Sequence, residues 1–317
     1  MTIGIAIALY NGERFIRKQL DSLLQQTQLP DKVIFCDDGS TDGTVDIVKA
    51  YIAEHSLEEK WQLFINPQNL GYARNFYHAM ELCNTDLIFL CDQDDLWDEE
   101  KIEKMTLVME NNPQIMVLSS KFGIIDADDR QMHSVLESKA AQTNELRQIS
   151  HHDLLTAFYW PGMVMCVRGD FFGKIADTVT NHSVAHDRVF AHCAAELNGF
   201  YEIDYIGAYH RRHNCNTAHE EHRIFKLLNL QRKLRDIDDH NQMLEGLLNL
   251  AALFGENTVT MLEERLTQSK QRQTALKNRS LGGILQLYAN DKTGLLRKAS
   301  LLCDLWLVCF GNYQKGV

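Results

Sequence analysis

The feature that most constrains the fold is an alternation of short apolar runs with segments of helical periodicity in the first hundred residues. Unbroken apolar runs of this kind are typical of strands that are buried on both faces. Because helices separate them, right-handed crossovers and a mostly parallel α/β sheet flanked by helices are expected. The predicted strands cover residues 3–9, 32–37, 61–65 and 87–91, and the predicted helices cover residues 14–26, 41–54 and 73–82.

After residue 112 the alternation is looser, and after about residue 222 the apolar residues keep helical spacing. We therefore predict one α/β domain over residues 1–220, made of a first half (1–112) and a second half (113–220), and a helical extension over 221–317. Residues 126–150 are polar and predicted to be irregular. The remaining predicted elements are strands at 115–125, 163–167 and 200–209 and a helix at 187–197.

The net charge of −11 is unevenly distributed along the chain. Residues 221–317 hold 14 Lys and Arg against 10 Asp and Glu, a net of +4, which leaves −15 for residues 1–220. An acidic domain argues against a nucleic-acid partner, because phosphate backbones need a basic surface. The mildly basic extension is compatible with an anionic membrane surface.

The cysteine pattern and the apolar runs favour a cytoplasmic protein. None of the eight cysteines forms a CxxC pair, and most lie within apolar runs, as reduced core thiols do. We expect no secretory leader and no membrane span, since no apolar run reaches about 20 residues. Residues 295–310 could contact the inner face of the membrane as an interfacial helix, or pack on the protein's own helices. Homo-oligomer formation is left open.

The first four predicted strands all end in polar, glycine-rich or acidic segments. Because parallel strands present their carboxyl ends at one edge of the sheet, where ligands bind in such folds, these segments should converge. The acidic segment at 92–95 is the sharpest signal: crowded carboxylates such as Asp92 and Asp94 repel one another unless a cation such as Mg²⁺ or Mn²⁺ joins them. The competing interpretation is a solvated turn that caps the next helix.

The other strand ends offer contacts for a nucleotide, each with a structural alternative. Asp37 could accept a hydrogen bond from the ring N–H of uracil or thymine, while Asp38 or Ser40 holds an Asx turn. Tyr10 could stack on the base or be an aromatic at the edge of the core. Arg74 could contact a diphosphate or be an exposed helix arginine.

These segments, in this order, resemble the family 2 glycosyltransferases of the Rossmann-like GT-A fold, and most closely a bacterial rhamnosyltransferase-like branch that builds surface polysaccharide. The resemblance covers about residues 1–215. The segments that carry it are Tyr10-Asn11-Gly12-Glu13, Asp37-Asp38-Gly39-Ser40-Thr41-Asp42, Asn69-Leu70-Gly71 with Arg74-Asn75, Asp92-Gln93-Asp94-Asp95-Leu96-Trp97, His186-Asp187 and Tyr209-His210-Arg211-Arg212-His213-Asn214.

The resemblance implies roles for particular residues. Asp92 and Asp94 would bind the metal and the diphosphate, with His213 as a further metal ligand, and Asp187 would be the general base. Two positions depart from the family pattern: Ala8 stands near a position usually held by Ser or Thr, and His186 stands where an acidic residue often precedes the base. The implied nucleotide-sugar-binding residues are Ala8, Tyr10, Asn11, Glu13, Asp37, Asp38, Asn69, Arg74, Asp92 and Gln93.

The implied activity is inverting transfer of a sugar from a UDP- or dTDP-sugar, with dTDP-rhamnose as one candidate, to a saccharide or lipid-linked saccharide hydroxyl. Trp160 and His186 are candidates for the acceptor side, although Trp160 could equally be a packed loop aromatic. One alternative is a nucleotidyltransferase, which would be expected to carry a glycine-rich basic loop after the first strand. Another is a non-catalytic module that binds nucleotide sugars and could dispense with Asp187.

Overall fold

The computed structural model describes residues 1–132, 141–156, 160–179, 184–213, 229–291, 296 and 298–310. The chain divides into two compact units, one of residues 1–150 with 158–215 and the other of residues 151–157 with 216–317. The predicted domain boundary at residue 220 falls outside the described residues and stays a prediction. Within the described part of the chain, no helix combines the length and the apolar character needed to cross a bilayer.

The first unit is built on a sheet with strand order β3-β2-β1-β4-β8-β6-β9-β5, and β7 pairs with β9. Strands β1 to β4 pair in parallel, as do β6 and β9. β8 runs antiparallel between β4 and β6, and β5 and β7 run antiparallel to β9. The strands are β1 Ile3–Leu9, β2 Lys32–Asp37, β3 Trp61–Ile65, β4 Leu87–Asp92, β5 Leu96–Trp97, β6 Val117–Ile125, β7 Leu146–Gln148, β8 Met165–Arg168 and β9 Phe200–Arg211.

Helices flank this sheet, so the predicted mostly parallel α/β architecture is confirmed. β1 lies between β2 and β4, and Ile5, Ala6 and Ile7, which alternate between its two faces, are fully buried, as expected of a central strand whose two faces are covered. The helices up to residue 196 are α1 Ile16–Leu24, α2 Thr44–Glu54, α3 Tyr72–Cys83, α4 Lys101–Asn111, α5 His151–Thr156, α6 Gly169–Val179 and α7 His186–Glu196. Of these, α5 belongs to the second unit.

Several elements differ from the prediction. Residues 126–150 are not wholly irregular, because β7 forms there on the edge of β9. β8 begins at Met165, since the preceding Gly162–Val164 forms a 3₁₀ turn. Sequence reasoning placed no helix at α6, which begins at Gly169, where an added Cβ would lie 2.0 Å from the carbonyl oxygen of Thr85.

The second unit is helical, as predicted for the extension. Its long helices are α8 Leu230–Leu248, α9 Glu256–Lys277, α10 Leu281–Ala289 and α11 Lys298–Phe310. The side chain of Asn229 caps α8 and that of Ser280 caps α10. The core of the unit includes Leu230, Leu276 and Leu307, each fully buried.

Candidate active site

The strand register places two predicted site residues on either side of β1. Leu9 lies opposite Asp37 of β2, and Ala8 lies opposite Asp92 of β4. Because neighbouring strands are about 4.8 Å apart, Asp37 and Asp92 stand about 10 Å apart at the carboxyl edge of the sheet. The convergence of strand ends therefore occurs where the sequence predicts it.

The loop after β1 is braced by the loop after β4. The backbone N–H of Tyr10 donates to Gln93 Oε1 (2.9 Å), and Gln93 Nε2 donates to the carbonyl oxygen of Tyr10 (2.8 Å). Gly12 makes room for this amide, since a Cβ there would lie 2.4 Å from Gln93 Oε1. The Gln93 amide thus holds Tyr10, whose ring is 52% exposed at the edge of the sheet.

Asn11 and Glu13 join the β1 loop to the loop after β2. Asn11 adopts a left-handed backbone (φ 48°), and its Oδ1 accepts from the N–H of Thr41 (2.8 Å). Glu13 Oε2 accepts from the N–H of Gly43 (2.7 Å). Both side chains were predicted to contact the nucleotide, and the contacts described here make them cross-braces of the site. Direct nucleotide contact by either stays a prediction.

Asp37 and Asp38 have different surroundings. Asp37 Oδ2 accepts from the N–H groups of Gly39 (3.1 Å) and Ser40 (3.0 Å), so Asp37 itself holds the Asx turn. Its Oδ1 is buried and has no hydrogen-bond partner among the described residues. A buried acceptor without a partner is costly, and the ring N–H of a base would satisfy it. The predicted base contact and the turn can therefore reside in one carboxylate.

Asp38 fixes the loop that leads into α3. It is 3% exposed and accepts from the N–H groups of Leu70 (2.7 Å) and Gly71 (2.8 Å). Asn69 Nδ2 donates to the carbonyl oxygen of Asp38 (2.8 Å). Asp38 and Asn69 thus orient the first turn of α3, where Arg74 is exposed. Their direct contact with a nucleotide stays a prediction.

The acidic loop after β4 crowds three carboxylates. Burial, followed by the charges of Asp95 and Asp94, raises the pKa of Asp92 well above its usual range. Asp95 is fully buried, and burial raises its pKa although His210 opposes the shift. Like charges this close disfavour ionisation of one another, and a cation would reverse that penalty.

Residues 210–213, at and just beyond the end of β9, form a clasp on this loop. The backbone N–H of Arg211 donates to Asp95 Oδ1 (2.8 Å), and its Nε donates to the carbonyl oxygen of Asp94 (2.7 Å). His210 Nδ1 lies 3.1 Å from Asp95 Oδ1, and His213 Nε2 lies 2.7 Å from Asp94 Oδ2. Although burial opposes it, the charge of Asp95 and its neighbours raises the pKa of His210 to about 9.

Roles for Arg211, His210 and Asp95 were not predicted, although all three lie within the segments that carry the family resemblance. Arg211 is fully buried and also donates to the carbonyl oxygen of Asp126 (3.1 Å) and to the carboxylate of Asp129. The clasp thus ties the acidic loop to the turn after β6.

The donor set suits a hard cation only in part. Within the described residues, no group of three or more His, Cys, Asp or Glu side chains is arranged to hold a metal ion. Asp92 and Asp94 remain a carboxylate pair beside His213, and Mg²⁺ commonly binds through one or two carboxylates while phosphate and water oxygens complete its shell. The residues therefore fit a cation that arrives with a diphosphate.

Asp187 lies in the first turn of α7 and is half-buried. Its negative charge is a minor cause of the raised pKa of Asp92. The preceding residue, His186, is 5% exposed, and burial lowers its pKa to about 4. Its ring packs on Phe76, with ring centroids 4.1 Å apart, and neither ring nitrogen has a hydrogen-bond partner among the described residues.

Trp160 does not offer an exposed stacking surface. It is 6% exposed, its indole N–H donates to Glu202 Oε2 (2.8 Å), and its ring packs edge-on against Phe200. This favours the alternative that Trp160 is a packed loop aromatic over the predicted acceptor contact. Tyr72, which the sequence did not single out, is 52% exposed at the start of α3, and its ring meets that of His186 edge-on.

A hollow of about 510 Å³ opens on the first unit. Its lining includes Lys18, Leu96 and Tyr209, but none of the residues predicted to bind a donor or a metal. The register and hydrogen bonds therefore define the candidate site better than cavity volume does, because a site at a sheet edge is open to solvent.

The mostly parallel sheet flanked by helices, with a braced acidic loop at its carboxyl edge, agrees with the GT-A fold that the sequence resemblance implies. The model of "Glycosyl transferase family 2" matches residues 4–171, which is more than half of the chain. The chain belongs to glycosyl transferase family 2.

Similar proteins agree with this assignment. The dTDP-rhamnosyl transferase RfbG of Shigella flexneri is 33% identical over 100 residues, which are 31% of this chain and 34% of that protein. The chain spans about half or less of the first curated relatives that it matches.

Two solved structures share the fold. S. aureus TarS 1–349 in complex with UDP-GlcNAc has a TM-score of 0.55 at 15% identity, covering 91% of this chain and 89% of that one. The mannosyltransferase PcManGT of Pyrobaculum calidifontis, in complex with GDP-Man and Mn²⁺, has a TM-score of 0.51 at 14% identity, covering 96% and 84%. At these identities the likeness bears on the fold alone.

Proposed function

We propose that this protein is an inverting, metal-dependent glycosyltransferase that uses a UDP- or dTDP-sugar. Its acceptor would be the hydroxyl of a saccharide or lipid-linked saccharide in the synthesis of bacterial surface polysaccharide, on the cytoplasmic side of the membrane. The observation that carries the proposal is the alignment of Asp37, Tyr10 and the Asp92–Asp94 pair along one sheet edge. A nucleoside diphosphate would lie along this edge.

In this proposal the ends of the donor are bound by different strands. Asp37 Oδ1 accepts from the base, the Tyr10 ring lies against the base, and Arg74 meets the diphosphate. Asp92 and Asp94 would hold a Mn²⁺ or Mg²⁺ ion with help from His213, and a bound cation would offset the charge of the departing diphosphate. The cross-braces at Asn11, Glu13, Asp38, Asn69 and Gln93 keep these groups in register.

Asp187 acts as general base on the acceptor. Its carboxylate takes the proton of the acceptor hydroxyl while that oxygen bonds to the anomeric carbon and the bond from this carbon to the diphosphate oxygen breaks. Attack from the face opposite the leaving group inverts the configuration. Its half-buried position in the first turn of α7 supports this role, because a general base must be within reach of the acceptor hydroxyl.

The identity of the donor substrate must be determined by experiment. The similarity to RfbG, a dTDP-rhamnosyl transferase, favours dTDP-rhamnose, whereas TarS and PcManGT were solved with UDP-GlcNAc and GDP-Man. A thermal-shift panel of UDP-, dTDP- and GDP-sugars, each with Mn²⁺ or Mg²⁺, identifies the donor. Saturation at 100 times Kd adds about 2.7 kcal/mol to the stability of the native state.

Two controls make the panel specific. Asp94→Asn should lose the metal-dependent shift, and Glu99→Gln, at an exposed acid outside the pair, should keep it. Release of nucleoside diphosphate from the shifting donor supports transfer, whereas pyrophosphate exchange would indicate the nucleotidyltransferase alternative. Binding without any turnover would indicate a non-catalytic module. A flat panel for every sugar nucleotide would refute the proposal.

A further inference from the structure

The last helix presents an apolar side to solvent. Leu302, Trp306 and Phe310 of α11 are 74%, 38% and 66% exposed. Their spacing of four residues puts them on one side of the helix, and we call these three residues the apolar face. An exposed apolar stripe of this kind marks an interaction site more often than isolated surface leucines do.

No charge interrupts the apolar face. Between residues 300 and 310 the only charged residue is Asp304, which is fully buried. Both of its oxygens accept from Arg272 of α9 (2.6 and 2.8 Å), and Tyr288 OH donates to it (2.9 Å). The single acid of this stretch is therefore neutralised inside the unit.

The neighbouring helix adds to the exposed apolar surface. Leu281 and Leu285 of α10 are 44% and 51% exposed at a spacing of four residues. Ile284 of α10 and Leu307 of α11 meet in one core cluster, so the inward sides of both helices are satisfied. Leu281 and Leu285 therefore lie outside the packed core of this unit.

The segment of the sequence that contains this surface has a net positive charge. Residues 277–317 contain six Lys and Arg against two Asp, and one of these two is the internally paired Asp304. The rest of the chain carries −15. An apolar face within a segment of net positive charge matches a bilayer with anionic headgroups. A second copy would bring the same positive charge to the contact and be repelled.

We propose that the apolar face of α11 is a docking surface for an anionic phospholipid bilayer. Leu302, Trp306 and Phe310 enter the boundary between headgroups and acyl chains, and the net positive charge of residues 277–317 favours anionic headgroups. The proposal gives the membrane contact that the sequence leaves open for residues 295–310 a defined set of residues, and it does not depend on the donor or the chemistry.

Trp306 is a built-in probe for this contact. The other three tryptophans of the chain, Trp61, Trp97 and Trp160, are between 4% and 6% exposed, so a fluorescence change on lipid binding reports Trp306. Vesicles of equal parts phosphatidylglycerol and phosphatidylcholine should shift its emission to the blue, and brominated acyl chains should quench it. Pure phosphatidylcholine vesicles should bind at least tenfold more weakly.

Substitutions distinguish binding through the apolar face from nonspecific adsorption to vesicles. Leu302→Glu and Phe310→Glu should each reduce cosedimentation with the phosphatidylglycerol vesicles at least tenfold at an unchanged melting temperature. Leu107→Glu, at a 58% exposed leucine of α4, should sediment like the parent. Trp306→Phe should lose the fluorescence response and keep most of the sedimentation.

Three results would overturn the proposal. The first is no binding to phosphatidylglycerol vesicles, and the second is equal sedimentation of Leu302→Glu and the parent chain. The third is a dimer in sedimentation velocity that Leu302→Glu dissolves, because a second copy would then be the occupant. Donor binding is measured separately, so failure here leaves the proposed transferase activity unaffected.

Discussion

Replacing Arg211 by Met removes the centre of the clasp on the acidic loop. The guanidinium is fully buried and donates to the carbonyl oxygens of Asp94 (2.7 Å) and Asp126 (3.1 Å) and to the carboxylate of Asp129. Removing one partner of a buried ion pair costs roughly 3–5 kcal/mol. Because the Asp129 side chain is 33% exposed, water replaces part of that contact, and we expect a loss of about 3 kcal/mol.

Urea denaturation measures this loss, and titration calorimetry of UDP and dTDP with Mn²⁺ measures its effect on the site. A loosened Asp94 should weaken metal-dependent nucleotide binding at least tenfold. Arg212→Met is the matched control, since it removes the same charge from the next residue, whose side chain is partly exposed. The stability and nucleotide affinity of Arg211→Lys should fall between those of Arg211→Met and Arg212→Met, because a lysine ammonium cannot make all the hydrogen bonds of the planar guanidinium. Equal stability and affinity for Arg211→Met and Arg212→Met would refute the role of the clasp.

Three further changes test separate parts of the site. Asp187→Asn should lower transfer by 10²-fold or more while calorimetric donor affinity persists; a parallel fall in affinity would make Asp187 a structural residue. His186 has a folded-state pKa of about 4, below its usual 6.5, so its stabilisation is present above pH 6.5 and is lost as the pH falls toward 4. Between pH 7 and pH 4 the parent chain should lose unfolding free energy on the order of 3 kcal/mol that His186→Gln does not lose, as urea titrations at the two pH values would measure. Equal pH profiles for the parent chain and His186→Gln would exclude this role of His186. Gly12→Ala should weaken nucleotide binding by crowding Gln93, and less so in a Gln93→Ala background; additive effects would contradict this coupling.

Much of the sheet could be predicted because buried parallel strands appear in the sequence as short, unbroken apolar runs. Residues 3–9, 32–37 and 61–65 were predicted with the bounds that the structure gives to β1, β2 and β3. Each is short and flanked by turn residues, and the crossover rule then sets its direction. Such local patterns were enough to place the acidic loop and the loop after β1 at one edge.

The partners of individual side chains could not be predicted in the same way. Arg211 and Asp94 are 117 residues apart, and no local periodicity relates them. Trp160 is similar, since its indole partner Glu202 lies on a strand 42 residues away. The sequence indicated which residues gather at the sheet edge, but whether a polar group faces a ligand or a neighbouring loop depends on tertiary packing.

The central claim is that a cation at Asp92 and Asp94 binds the diphosphate of a nucleotide whose base meets Asp37. Crystals soaked with Mn²⁺ and the nucleotide selected by the thermal-shift panel, with data collected at the manganese absorption edge, test it directly. We predict an anomalous peak within about 2.3 Å of a carboxylate oxygen of this pair, and a base N–H on Asp37 Oδ1. An ordered nucleotide with no peak there, or with its base away from Asp37, would contradict the account.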